Sequence, residues 1–380
     1  MDDAAMTLYP EENLGVPWDI ERFDGFLKWA TTQKASDVAL EPNKGIWTRV
    51  HGTWRPASHR KITSHEIGLL LDATTTKNGT AIARTDAGYD IDGAYQVKVD
   101  RFRYARFRVN GTACRDGSSS SGISIIYRTI PSVPLHIDEL SLEPAITENI
   151  FPHNGLILAT GVMGSGKSTL LASVLRFIAE NHARHIMTYE SPIEFDLTSD
   201  EIKHTGPCTQ IQIPDHLHDF VSAPRNSARR AADVVMYGES RDQETLRSMI
   251  EEAEIGVAVY STVHTRSVAE TLPRIINVFP SALQNQVASS LISSIRLIVH
   301  QRLLPKTGGG RVAVREFLSF DANLRSRLIK VPLQDIGQTV QSIVEEQGQP
   351  LIEAAERAFR GGEIAEVDKD VIFKEFSQAR

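Results

Sequence analysis

The chain has 380 residues, a hydrophobic share of 41% and a formal net charge of −7. That length exceeds one comfortable domain, so two are expected, and the acidic balance gives no global pull toward nucleic acid or anionic lipid. No stretch approaches the ~18 uninterrupted apolar residues of a membrane span. The start, Met1-Asp2-Asp3-Ala4-Ala5, lacks the basic region and apolar core of a secretion signal. The two cysteines, Cys114 and Cys208, stand far apart without metal-ligand spacing. They suit a reducing compartment, and a cytoplasmic address is expected.

Residues 1–16 read as a flexible lead. Over Asp19–Ala30, Ile20, Phe23, Phe26, Leu27 and Ala30 fall on one face and predict an amphipathic helix. Strands are predicted over Ala35–Leu40, Gly45–Gly52 and Asp100–Asn110, the last with a period-two pattern in Phe102, Tyr104, Arg106 and Arg108. Gly117–Gly122 reads as a flexible turn ahead of a strand over Ile123–Thr129. Helices and strands mixed in this way predict a small α+β domain over residues 17–130, followed by a linker over 131–136 that carries Pro131 and Pro134.

From Ile137 onward the rhythm becomes strand then helix, and residues 137–380 read as an α/β domain. Leu156–Thr160 is a short buried strand, and Thr169–Ile178 is a helix with Leu170, Leu171, Val174, Leu175 and Ile178 on one face. Strands His185–Tyr189, Asp233–Tyr237 and Val257–Thr262 complete a mostly parallel sheet with helices on both faces. A long helix is expected over Ser281–Val299, where Leu283, Val287, Leu291, Ile295 and Ile298 recur at helical spacing. Gly308-Gly309-Gly310 opens a hairpin-like pair around Arg311–Phe320, and the tail, about 331–380, is helical and charged with a turn at Gly361-Gly362.

Between the strand ending at Thr160 and the helix beginning at Thr169 lie Gly161-Val162-Met163-Gly164-Ser165-Gly166-Lys167-Ser168. Two glycines bracketing four residues, then Lys-Ser, form the phosphate-binding loop pattern in the strand–loop–helix context it requires. Glycines let backbone N–H groups close around phosphate oxygens, and the helix start adds a positive dipole end. Gly161, Met163, Gly164, Ser165, Gly166, Lys167, Ser168 and Thr169 are therefore the expected nucleoside triphosphate site. Lys167 supplies mobile charge for the outer phosphates and the Ser168 hydroxyl is a Mg²⁺ ligand.

Three further strands end in chemistry. Asp233–Tyr237 runs into Gly238-Glu239, and the acid is expected near Mg²⁺ and the attacking water. Tyr189-Glu190 continues through Ser191-Pro192-Ile193 to Glu194, offering two candidate carboxylates for general-base work. The third strand ends Ser261-Thr262-Val263-His264-Thr265; alone, His264 reads as a partly buried imidazole bonded to a carbonyl, but beside the other motifs it is a candidate sensor of the terminal phosphate.

In this order the three strand ends resemble the Asp box, atypical Walker B and His box of the hexameric secretion-type ATPases of type II secretion, type IV pili and type IV secretion. Further echoes are Leu272–Pro280, Gln301–Leu304, Gly310–Glu316, Arg106–Asn110 and Tyr127–Pro131, so the resemblance runs from roughly residue 19 to 362. Within the family the chain is most similar to the pilus-retraction-like branch, and there to the type IVB ATPases of Dot/Icm-type secretion and their conjugative-plasmid counterparts. Ser191 stands where retraction motors usually carry Asp, and Asn110–Cys114 also looks like the type IVB members. Two departures stand out. The His box reads Gly256-Val257 where the family usually has Gly-His, leaving His264 to carry its role. Arg229–Asp233 lacks the usual Pro-Asp, which is expected to shift the strand start by a residue.

The resemblance implies a RecA-like P-loop ATPase core preceded by a smaller PAS-like domain, assembled as a homohexamer that binds ATP and Mg²⁺. It implies that Arg106, Arg108 and Arg128 approach the γ-phosphate from the small domain, against the plainer reading of a solvated strand face. It also implies Glu194 or Glu190 as general base, Glu239 near the metal, and His264 on the γ-phosphate. Arg225 and Arg229, four apart on a presumed helix, read as subunit-interface residues. The implied partners are the inner-membrane subunits of a secretion, conjugation or pilus machine, at the inner face of the bacterial inner membrane, with no direct nucleic-acid contact. A RecA-like nucleic-acid translocase is the main competing class, disfavoured by the acidic balance and the lack of an aromatic-plus-basic stripe.

Overall fold

A computed structural model describes residues 8–10, 15–50, 52–75, 80–99, 104–116, 120–130 and 133–378. Most of the expected lead, together with Phe102, Pro131 and the first part of the Gly117–Gly122 segment, lies outside the described residues. The chain forms two compact units, Met1–Ser132 and Val133–Arg380.

The first unit runs α1 (Ile20–Thr32), β1 (Ala35–Leu40), β2 (Trp47–Val50), β3 (Thr53–Pro56), α2 (Ser64–Thr75), α3 (Ala81–Asp86), β4 (Ile91–Lys98), β5 (Tyr104–Asp116) and β6 (Ser120–Ile130). Its six strands form an antiparallel sheet in the order β3-β2-β1-β6-β5-β4. Asp19 caps α1 by accepting the Arg22 N–H, as its position before an apolar periodic run requires. Phe23, Phe26 and Leu27 of α1 and Ile67, Leu70 and Leu71 of α2 bury against Val38, Phe107, Val109, Ile125 and Tyr127. The odd residues of β5 thus face the helices, and the even ones, Arg106 and Arg108 among them, lie on the opposite face. β6 already begins at Ser120, so the described part of the expected serine-rich turn is strand, paired with β5 from Asp116↔Ser120 onward.

The second unit begins with a short 3₁₀ turn over Ile137–Leu140, then α4 (Pro144–Asn149), β7 (Gly155–Thr160), α5 (Lys167–Asn181), β8 (Ile186–Glu190) and β9 (Cys208–Gln212). Next come α6 (Ala223–Arg229), β10 (Val234–Tyr237), α7 (Gln243–Glu254), β11 (Ala258–Val263), α8 (Val268–Asn277) and α9 (Ser281–Ser294). The chain finishes with β12 (Ile295–Pro305), β13 (Arg311–Ser319), α10 (Ala322–Leu328), α11 (Ile336–Gln347), α12 (Leu351–Arg360) and α13 (Glu366–Gln378). Seven strands form one sheet in the order β13-β12-β7-β11-β10-β8-β9, parallel throughout except for the β12–β13 hairpin.

The expected helix over Ser281–Val299 is half right. Helix α9 stops at Ser294, Ile295 takes extended backbone, and Ile295–Val299 open strand β12 beside β7. β10 starts at Val234, a residue after the expected Asp233.

Strands β7, β8, β10 and β11 are buried along their whole length, as a sheet covered on both faces demands. Ile157, Ala159, Val234 and Tyr260 meet Leu170, Leu171, Val174 and Ile178 of α5 on one face. Leu156, Leu158, Val235, Tyr237 and Val259 meet Leu246, Met249, Leu272, Leu291 and Val340 on the other. Among the described residues no helix is long and apolar enough to cross a membrane. Leu158 is wholly buried at the centre of this second face. Leu158→Ala is expected to cost about 3 kcal/mol through lost transfer energy and a residual cavity, read as a lowered urea midpoint of the full chain.

Candidate active site

β7 lies between β12 and β11, so the chain leaving it must pass over β11 and β10 before forming β8. Such a crossing leaves a crevice at the carboxyl ends of parallel strands, where α/β sheets bind ligands. The segment after β7 and the tips of β8, β10 and β11 share this edge.

The loop after β7 is shaped by glycine. Gly161 takes φ +142 and Gly166, the residue capping α5, takes φ +87. A Cβ on Gly166 would stand 2.7 Å from Gln301 Nε2, and one on Gly161 would strike the Gln301 carbonyl. Both positions therefore combine a left-handed or strained backbone with no room. Lys167 is 7% exposed, and its ammonium donates to the carbonyls of Gly161 and Val162 at 3.0 Å each. Burial pulls its pKa down, and the carboxylates of Glu239 and Glu194 oppose the shift. Ser165 is buried; Ser168 and Thr169 are half-buried in the first turn of α5; Met163 and Gly164 are exposed.

Glu239, two residues past β10, is gripped from two sides. Arg241 donates from Nε to Oε1 and from Nη2 to Oε2 (2.6 Å), while His264 Nε2 lies 2.6 Å from Oε1. Partial burial works against ionisation, but Arg241 and His264 outweigh it and hold the carboxyl below its ordinary range. The β10 and β11 tips are tied beneath this pair, with Thr262 Oγ1 donating to the Gly238 carbonyl at 2.7 Å and the Ser240 and Ser261 hydroxyls 2.8 Å apart. Val257, which replaces the usual first His of the box, packs into the apolar core.

The two Asp-box acids part company. Glu190 is 4% exposed and accepts from Thr188 Oγ1 (2.6 Å), Gln210 Nε2 (3.2 Å) and the Glu194 N–H (3.3 Å). Burial raises its pKa to about 7 despite those bonds. Glu194 is half-buried with no hydrogen-bonded side-chain partner among the described residues, and its charge reaches Lys167 and Glu190. Glu190 thereby ties the start of the loop that carries Glu194 to the tip of β8.

The structure gathers Lys167, Glu190, Glu194, Glu239 and His264 at one sheet edge. Arg106, Arg108 and Arg128 gather in the first unit on the outer face of its sheet. Arg108 sits directly across from Arg128, whose Nε donates to Asp37 Oδ1 at 2.8 Å. Asp37 offsets a like-charge cross-strand pair that would otherwise be unfavourable. Arg106 keeps one buried terminal nitrogen, Nη1, without a partner among the described residues. Arg225 and Arg229 are exposed on α6.

Sequence reading gave Arg241 no role although it stands two residues from Glu239. It also gave none to Gln301 and Arg315, whose place beside the loop depends on strand order. An ionised Glu239 and a Ser168 hydroxyl are hard oxygen donors of the kind Mg²⁺ takes beside phosphates and water, and Arg241 would have to release a Glu239 oxygen for the ion to be held there. Among the described residues no three His, Cys, Asp or Glu side chains form a metal cage.

Raising the Glu190 carboxyl from 4.5 to about 7 makes its ionisation cost on the order of 3 kcal/mol in the folded chain. Its contribution to stability is full below pH 4.5 and is lost as the pH climbs through about 7. Glu190→Gln stays neutral, so it should melt like the parent near pH 5 and above it at pH 8, by calorimetry. Glu316, also raised to about 7 by burial, leaves a residual slope in both proteins. Parallel pH profiles would contradict the assignment.

The model of the type II/IV secretion system protein family matches residues 20–312. The type IV pilus retractation ATPase PilT of Pseudomonas aeruginosa is 32% identical over 299 residues, 77% of this chain and 80% of that protein. The X-ray structure of the Legionella pneumophila ATPase DotB superposes with a TM-score of 0.83 at 34% identity, covering 97% of this chain and 99% of the other. A crystal structure of the pilus retraction motor PilT with bound ADP superposes with a TM-score of 0.78 at 28% identity, covering 92% and 96%. With a RecA-like core behind an N-terminal domain and the phosphate loop in place, the chain belongs to the type II/IV secretion system protein family and is an ATPase of its pilus-retraction-like branch.

Proposed function

We propose that the chain is the ATP-hydrolysing subunit of a homohexameric motor. It drives a type IV secretion or conjugative-transfer machine, docked on that machine's subunits at the inner face of the bacterial inner membrane. The observation that carries this reading is the convergence of Lys167, Glu239 and Glu194 on one edge, close enough for each acid to act on the lysine's charge. The likeness to the DotB structure across nearly the whole chain favours the secretion setting.

The loop from Gly161 to Thr169 cradles the phosphates, and Lys167 leaves its own loop carbonyls for the outer phosphate oxygens. Ser168 and Glu239 would hold Mg²⁺, which when bound neutralises charge on the phosphates. Glu194 takes a proton from the attacking water, whose oxygen bonds to the γ-phosphorus while the bridging oxygen departs with ADP. Glu190, whose burial disfavours the charged form, fixes the loop behind Glu194. His264, beside Glu239, is assigned the terminal phosphate. Arg106 and Arg108, with no ion-pair partner among the described residues, supply guanidinium charge to the transferred group; Arg128 is committed to Asp37.

A second reading, a type IV pilus retraction motor, is favoured by the identity to PilT. Deleting the gene in its host separates them: lost substrate or plasmid transfer supports the first, lost twitching with intact transfer the second.

Lys167→Ala should abolish both ATP binding and turnover, whereas Glu194→Gln should abolish turnover and retain binding, by calorimetry and phosphate release. Turnover retained in either folded variant would refute its assignment. An Arg106→Ala, Arg108→Ala double variant is expected to lower kcat roughly 10³-fold with ATP affinity little changed; an unaltered kcat in steady-state assays would remove both arginines from the mechanism.

A further inference from the structure

On the β12–β13 side of the phosphate loop lies a buried polar chain that begins at Arg315 of β13. Arg315 is 2% exposed, and each of its nitrogens is bonded. Nε donates to Gln301 Oε1 (2.8 Å), Nη1 to the Ser141 carbonyl (3.2 Å) and Glu143 Oε2 (3.1 Å), and Nη2 to the Leu140 carbonyl (2.8 Å). Gln301 of β12 is 4% exposed and donates from Nε2 to the carbonyl of Ser165 at 2.7 Å.

Chemistry makes this chain one-directional. Arginine has only donors, so the Gln301 amide must turn its oxygen toward Arg315 and its NH₂ toward Ser165. The peptide between Ser165 and Gly166 is planar and trans, so its carbonyl and N–H point in opposite directions. Holding the Ser165 carbonyl against Gln301 therefore aims the Gly166 N–H away from Gln301. That N–H belongs to the helix start expected to receive phosphate oxygens. The near contact of Gln301 Nε2 with Gly166 leaves little play in the joint. A buried guanidinium is costly to desolvate, and an apolar side chain of similar size would often be as stable. An orienting role accounts for the charge where stability does not.

We propose that Gln301 is a positioning residue for nucleotide binding, oriented by Arg315, and that it sets the peptide that presents the Gly166 N–H to phosphate. The proposal rests on the nucleotide reading given above and names residues outside the phosphate loop and the three strand-tip motifs. Glu143 and Gln349 support Arg315 from behind, with Gln349 Nε2 donating to the Arg315 carbonyl at 2.7 Å.

Gln301→Glu in the full chain separates this role from a packing role. It keeps an acceptor for Arg315 in the same volume, but it removes the donor and sets a carboxylate against the Ser165 carbonyl. Expected is a melting temperature near the parent's, with affinity for fluorescent ADP and ATP analogues reduced alike by roughly tenfold to a hundredfold. Arg315→Met, which frees the amide to flip, is expected to lower affinity similarly, and Arg315→Lys to recover part of it. Lost stability with unchanged affinity of the folded protein would mark a structural role and overturn the proposal. A parent that binds ATP beside a folded Gln301→Glu variant that binds it equally overturns the brace alone. A parent with no affinity for either analogue overturns the nucleotide reading and the brace with it.

Discussion

Between β7 and α5 the backbone has to reverse within a few residues while leaving its N–H groups aimed at one point, and that demand organises the unit around it. Gly161 and Gly166 meet it with conformations that L side chains rarely adopt, against a Gln301 that leaves no space for a Cβ. The strand carrying Gln301 must then lie beside β7, and it does, with His300 paired to Thr160 at the last position before the loop. On the other flank β11 takes the place next to β7 and brings β10 with it. Sheet order is thus what converts remote segments of sequence into a single edge.

At that edge the same functional group is given opposite electrostatic treatment. Glu239 has a guanidinium and an imidazole at its oxygens and is held ionised. Glu190 has only neutral donors and near-complete burial, so its proton stays on until the pH reaches about 7. Environments that push carboxyls apart in this way divide labour among acids of one site. Glu194 is tethered through its backbone to Glu190 and shares the field of Lys167.

Much of this was legible in the sequence. The β7–loop–α5 unit carried both a motif and the flanking periodicity, and the acidic tips of β8 and β10 followed apolar runs of strand length. The misreading of Ile295–Val299 has a plain cause. Leu291, Ile295 and Ile298 satisfy helical spacing, yet a short apolar run is equally at home in a strand, and neighbouring β7 decides the matter. The Glu239–His264 contact was out of reach because it depends on β10 and β11 being adjacent with Tyr237 opposite Ser261. Gln301 and Arg315 were hidden for the same reason: one hairpin places them side by side, as register partners in β12 and β13. Arg128 read as one of three equivalent arginines until β1 placed Asp37 beside it.

The C-terminal helices have an apolar centre of their own. Leu351, Ala354, Ala355 and Ala358 of α12 and Ile364 and Ile372 beyond it close over Leu304 and Val314, apart from the two clusters that cover the main sheet. Elements that share one apolar cluster open together. Leu304 and Val314 belong to β12 and β13, so this cluster fastens α12 and α13 to the hairpin edge of the sheet, and their amide protons are expected to exchange with solvent as one block ahead of those of central β7 and β11.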